Sequence, residues 1–294
     1  MFSVAAADAA DGDCESVLSQ FDSNDSVLLP ATLDTGLRVL YLYQERELTD
    51  EYRPISLEVG VLDGCCGSAR LRAAKTDVLV GIKAELTEPS IESGSAGRLQ
   101  FSVDCSANAA PQFEGRGGES MAAQLAALLS EVYSCAVDLS VLSIVPDERC
   151  WCLYVDVLIL QLDGSLIDFI SVAVKAALCD VVLPKVHVKA ADDGAEAELE
   201  LTDDEWSLGL VFAEQCPCLA TVHKIGWANV SDLTPMEERC SKACVSVGCR
   251  ANGQLCLVRQ HGQGGSLDID SVGDMIQAAT LAAMFLHEQT STER

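Results

Sequence analysis

The chain repeats one plan twice: a series of short runs in which apolar and polar residues alternate, closed by an amphipathic helix. Alternation with period two turns every second side chain of a strand to the same face, so each series must form a sheet with one buried face and a layer to cover it. In the first half the strand runs are 56–62, 67–73, 76–86 and 99–107, with Val78, Val80, Ile82 and Ala84 on one face of the third. As four consecutive strands they predict a β-meander. Residues 111–118 (PQFEGRGG) are a loop by their proline and glycines. Residues 119–136 place Met121, Leu125, Leu128, Leu129 and Val132 at helical spacing. The run 150–162 (CWCLYVDVLILQL) is nearly all apolar, rich in β-branched and aromatic residues, and stops at Gly164. That pattern predicts a central strand buried on both faces. A helix over 168–179 follows, with Asp168 as its N-cap.

An acidic stretch, 190–205 (AADDGAEAELELTDDE), separates this half from the next. The second half has strand runs at 208–212, 219–225, 243–247 and 255–259, and a glycine-rich turn at 262–266. It closes with a helix over 271–288, whose Val272, Met275, Ile276, Ala279 and Ala283 fall on one face. The expected organisation is a flexible N-terminus (1–25), a first domain (26–185), an acidic connector (190–205) and a second domain (206–290). Strands followed by a helix in each half make the fold class α+β.

With 19 basic and 45 acidic residues, the net charge is −26. A chain that binds nucleic acid unaided carries a basic surface that neutralises phosphates, and this one should repel a polyanion and an anionic membrane surface alike. No run of about 18 consecutive apolar residues offers a membrane span. The N-terminus, MFSVAAADAADGDCES, turns acidic at Asp8, where a secretory signal would have a basic start and an apolar run. The fourteen cysteines are therefore expected to be reduced thiols used as small hydrophobes. The pairs Cys150/Cys152 and Cys216/Cys218 leave zinc open, since spacing of two residues puts both sulfurs on one face of a strand. His187, His223, His261 and His287 are scattered, and GQGGS (262–266) lacks the lysine of a phosphate-binding loop. No metal site and no cofactor are expected.

Four longer strings carry a resemblance: GSARLRAAKTDVLVGIKAEL (67–86), VDCSANAAPQFEGRGGES (103–120), CWCLYVDVLILQLDGSLIDFISVAVKAALCD (150–180) and CLATVHKIGWANVSDLTPMEE (218–238). Together they resemble, in order, the ribonuclease PH-like ring subunits of the eukaryotic RNA exosome, over about residues 55–285. The resemblance implies a subunit of two similar sheet-and-helix halves, of the ribosomal protein S5 domain 2-like kind. It also implies a hexameric ring of related subunits, S1/KH-type cap subunits, an associated hydrolytic nuclease, and RNA threaded through the channel. Its processing work on ribosomal and messenger RNA would lie in the nucleus, nucleolus and cytoplasm. The R-x-D-G-R signature of the family is replaced by ERELTDEYRP at 45–54.

Phosphorolytic members of that family carry an aspartate in an A-D-G-G-T-R string after the central strand. Here the string is LDGSLID (162–168), and the Asp and Thr-Arg positions fall on Leu162, Ser165 and Leu166. Leucine can neither transfer a proton nor grip a phosphate. The expectation is a non-catalytic subunit, and the alternative is an active phosphorolytic 3′-to-5′ exoribonuclease using Asp163 or Asp168. Asp163 also reads as half of an Asp-Gly turn. The candidates for the RNA path are Arg116 in the EGRGG loop, Lys83 and Arg70. Each has a plain alternative, Arg116 as the ion-pair partner of Glu114 or Glu119, and the other two as members of a solvated sheet face or subunit-interface ion pairs.

Overall fold

The computed structural model describes residues 52–90, 94–110, 113, 117–189, 198–208, 211–212, 215–226, 228–241, 243–261 and 267–292. The expected flexible N-terminus lies outside them. The first domain opens with β1 (Ile55–Val59), β2 (Gly67–Ala73) and β3 (Thr76–Thr87), an antiparallel meander. In β3 the alternation holds as expected, with Val78, Val80 and Ile82 fully buried. β4 (Arg98–Cys105) does not continue the meander. Helix α1 (Gly117–Ala136) carries the chain to β5 (Ser143–Val145) and β6 (Arg149–Gln161), and β6 inserts between β3 and β4. β6 runs antiparallel to β3 and parallel to β4, giving the order β1-β2-β3-β6-β4. The connection through α1 is the crossover that a parallel pair requires. The apolar run at 150–162 thus becomes the central strand, with Leu153, Val155 and Ile159 buried.

Helix α2 (Leu166–Cys179) follows directly and is buried around almost its whole circumference. It packs on β2 and β3 on one side and on the second domain on the other, and its Asp168, Ser171 and Lys175, spaced three and four residues apart, are buried on the side where they meet Thr221, Leu219 and His287. The acidic stretch at 190–205 is in its second half not a connector: β7 (Val182–Lys189) pairs with β8 (Glu198–Ser207) in a two-stranded ribbon. The ribbon sets Leu199 opposite Val188 and Leu201 opposite Val186, cross-strand pairs of apolar side chains within the acidic string.

The second domain is a four-stranded antiparallel sheet, β10-β9-β11-β12, made of β9 (Cys218–Ile225), β10 (Ala228–Ser231), β11 (Ala243–Cys249) and β12 (Leu255–His261). A four-residue helix, α3 (Pro235–Glu238), links β10 to β11, and α4 (Ile269–Thr292) closes the chain. The described residues of the run expected as a strand at 208–212 are not paired in a sheet: the amides of Val211 and Phe212 both donate to the Leu208 carbonyl, as in a helical turn. An apolar quintet is too short to separate strand from helix by pattern. α4 is long and apolar enough by composition to cross a membrane. Its Met275 and Ala279 instead pack with Val222, Val245 and Val247 of the sheet, and its Ala283 and Leu286 join the core shared with α2.

Candidate functional site

A cleft of about 500 Å³ opens where the two domains meet. Its walls come from α1, the turn between β6 and α2, β9, α3 and the β11–β12 pair. The turn decides the chemistry. Gly164 has φ +82°, and a Cβ there would lie 2.0 Å from the Leu233 carbonyl oxygen, so only glycine fits. Ser165 is also left-handed, at φ +46°, and caps α2 without a side-chain hydrogen bond. Its amide donates to Glu238 Oε1 at 2.9 Å. Burial raises the Glu238 carboxyl above its ordinary range, while the Ser165 amide and the Arg53 charge act the other way. Glu238 is aimed by its neighbours: Thr234 and Glu237 form a capping box around α3, with Pro235 in the first turn. Leu162, Ser165 and Leu166 all line the cleft.

Asp163 in the turn and Asp168 in the first turn of α2 are each held by partners. The Asp163 carboxylate lies 3.5 Å from the Arg53 guanidinium. Its backbone amide donates to Thr76 Oγ1, and its carbonyl accepts from Arg53. Asp168 is not the N-cap: α2 begins at Leu166, because the left-handed pair Gly164–Ser165 turns the chain into the helix earlier than an Asp168 cap requires. Asp168 is instead fully buried, its Oδ2 accepting from Tyr52 Oη at 2.8 Å and from the Thr221 amide at 3.1 Å. Its Oδ1 has no hydrogen-bond partner. Burial pushes its carboxyl up to about 7, against the opposing pull of those two donors.

Arg53 ties the same junction together. Its amide and its Nε both bond the carboxylate of Asp232, a residue only 1% exposed, and its guanidinium reaches the carbonyls of Asp163 and Leu233. Its Cζ stands 5.5 Å over the Phe169 ring. Deeper in the cleft, Thr221 Oγ1, Ser246 Oγ and His261 Nε2 form a chain at 2.7 and 2.6 Å. His223 Nδ1 meets Ser241 Oγ at 3.2 Å. Burial lowers His223 to about 4, and burial with the nearby Arg259 charge lowers His261. Both rings are therefore neutral at physiological pH and give a phosphate no positive charge. Among the described lining residues Arg259 is the remaining cation, and its guanidinium lies 3.4 Å from Glu131.

Of the RNA-path candidates, Arg70 and Lys83 are not among the residues that line this cleft. Arg116 lies outside the described residues. Arg70 makes a two-pronged contact with Asp77 at 3.0 and 2.7 Å, which raises its pKa. Lys83 is exposed on β3, on the opposite face of that strand from Val78, Val80 and Ile82. No group of three or more His, Cys, Asp or Glu side chains among the described residues could hold a metal. The thirteen described cysteines are unbridged, and burial pushes Cys218 up to about 12 and Cys244 to about 11, which keeps both as thiols. Sequence reasoning missed Glu238, Arg53 and Tyr52. For Glu238 a signal existed, since Thr234-Pro235-Met236-Glu237 is a capping-box string with proline in the first turn.

Comparison with known proteins follows the two-domain division. Residues 51–184 match the model of the 3′ exoribonuclease family, domain 1, and residues 215–281 match domain 2 of the same family. The chain is similar to the exosome complex component Rrp42 of Pyrococcus furiosus, at 30% identity over 87% of this chain and 91% of that protein. It is similar to the putative exosome complex exonuclease RRP42 of Dictyostelium discoideum, at 29% identity over 80% of this chain and 87% of that protein. Among solved structures it matches a chain of the Archaeoglobus fulgidus exosome with RNA bound to the active site. The TM-score is 0.70 at 23% identity, covering 87% of this chain and 97% of that one.

Proposed function

The chain belongs to the 3′ exoribonuclease family, matched in both of its domains, and we propose that it is a structural subunit of the RNA exosome ring that forms channel wall and performs no cleavage. The observation that carries the second half is the turn between β6 and α2. Ring membership follows from the likeness to exosome components of the Rrp42 kind over most of the chain.

Phosphorolysis needs a bound phosphate and a group to move a proton. The backbone amide before the α2 N-terminus, where an anion would be welcome, already serves the Glu238 carboxylate. A phosphate arriving there meets like charge at hydrogen-bond distance. Leu162 and Leu166 supply neither acid nor cation, Asp163 is turned to Arg53, and Asp168 is sealed in the core. With the histidines neutral, Arg259, paired with Glu131, is the remaining cation among the described lining residues to offset a polyanion. RNA contact then depends on other ring subunits and on S1/KH-type caps, and cleavage depends on an associated hydrolytic nuclease. The same reading places the chain in nucleus, nucleolus and cytoplasm, which imaging of a tagged copy checks.

The test is incubation of single-stranded RNA and inorganic phosphate with the purified chain, alone or paired with a ring neighbour whose own site is inactivated. No release of nucleoside diphosphates is expected. Phosphate-dependent release that disappears in D163N or D168N refutes the assignment.

A further inference from the structure

The cleft between the two domains meets an anion with a carboxylate, and its lining points to the opposite charge as its ligand. Its volume of about 500 Å³ is that of a site for a small organic molecule. One wall is apolar, built from Met121, Leu125 and Leu128 of α1 with Leu162 and Leu166 beside the turn into α2. The other wall offers acceptors. Its known hydrogen bonds occupy His223 Nδ1 and His261 Nε2, so each neutral ring keeps a second nitrogen without a partner among the described residues.

Glu238 and Arg259 are the two charged side chains among the described lining residues. Arg259 is paired with Glu131, and both side chains are about half exposed. Glu238 has no such counter-ion among the described residues. Arg53, whose charge it feels, is committed to Asp163 and Asp232. Glu238 Oε1 accepts from the Ser165 amide, and no described residue donates to Oε2. We propose that the cleft takes an organic cation, an ammonium borne on an apolar chain, with the chain against the leucine wall and the ammonium donating to Glu238. An ammonium on an apolar wall alone would be left desolvated and unpaired, and the carboxylate offsets that cost. The field of a chain with net charge −26 draws such a cation in. The proposal rests on the reading of this cleft as closed to phosphate and names what it admits. Two sources carry the chemistry, a free amine and the lysine side chain of a polypeptide, and the test separates them.

The test uses the full chain with isotope-labelled histidine rings, followed by NMR at about pH 8. Hexylammonium, hexanol and hexanoate share one apolar chain and differ in charge. Hexylammonium is expected to shift the His223 and His261 signals and to leave His187, exposed on β7, in place. Hexanol should bind about tenfold more weakly, and hexanoate should produce no shift. E238Q keeps the shape of the side chain and removes its charge; it should weaken hexylammonium about tenfold and leave hexanol unaffected. If E238Q does not fold, the three ligands on the wild-type chain decide alone. N-acetyl-lysine methylamide binding as tightly as hexylammonium assigns the cleft to a lysine side chain, and weaker binding assigns it to a free amine. Equal affinity for hexylammonium and hexanol overturns the proposal. So does hexylammonium binding that E238Q does not weaken, or that leaves His223 and His261 unmoved. Silence toward all three ligands overturns it while leaving the absence of phosphorolysis standing, whereas shifts of His223 and His261 with inorganic phosphate would refute the reading on which it rests.

Discussion

Replacing Asp168 by Asn tests the buried junction most sharply. The folded chain holds the Asp168 proton up to about 7, against an ordinary value of 3.8. At about 1.4 kcal/mol per pH unit, ionising this group costs the folded state on the order of 4 kcal/mol that the unfolded chain does not bear. A raised carboxyl means the folded state binds the proton more tightly, so its stability falls as pH rises from about 4 to about 7 and stays lowered above. By pH 5 part of that loss has already occurred, which leaves a drop of about 3 kcal/mol between pH 5 and pH 8.5. Asn is the uncharged analogue of the protonated acid. It can accept from Tyr52 and Thr221, and its NH2 replaces the Oδ1 that has no partner. Any difference in hydrogen bonding between the amide and the protonated acid is an offset that does not vary with pH. Urea unfolding of wild type and D168N at pH 5 and pH 8.5, followed by tryptophan fluorescence, should therefore show the variant gaining about 3 kcal/mol relative to wild type at the higher pH. Parallel profiles for the two proteins would refute the assignment of a buried, proton-holding Asp168.

Removing the Arg53 side chain (R53A) takes the guanidinium from the buried carboxylate of Asp232, and loss of one partner of a buried pair costs about 3–5 kcal/mol. Urea midpoints should fall accordingly, and a fall within about 0.5 kcal/mol, typical of a surface site, would show that the junction does not rest on this residue. On the acid side, His223 and His287 are each held down to about 4, so their stabilisation is present above pH 6.5 and is lost as pH drops toward 4. H223N should flatten the acid limb by up to about 3 kcal/mol at pH 4, and an unchanged limb would mean that the ring is protonated in the folded chain.

Strand positions and the central place of β6 were legible because they follow from local patterning. Val78, Val80 and Ile82 alternate whatever lies beside them. Pairing was not legible: β4 reads as the next strand of a meander, and the place beside β3 is taken instead by β6, which the chain reaches only after α1. The leucines at 162 and 166 were legible as absences of chemistry, because a side chain that cannot carry charge is known from its identity alone. The contact that fills the place, Glu238 on the Ser165 amide, spans 73 residues and depends on a left-handed turn that no periodicity announces. Asp168 was misplaced for the same reason. Its residue type suits a cap, and the backbone two residues earlier decides otherwise. The acidic string at 190–205 was read by its charge, whereas its second half pairs with β7, a partner strand that its own composition does not announce.

Helix α2 is wedged into both interiors, with 12 of its 14 residues buried. Melting either sheet would strip one side of the same helix and expose it to water, because the largest buried cluster is shared by the two halves. The two halves should therefore lose structure together, and severing the chain between them should not release two folding units. A subunit built this way has no hinge at its waist. Load passed along a wall of such pieces would be carried by a rigid wedge, and any flexing would be left to the joints between subunits.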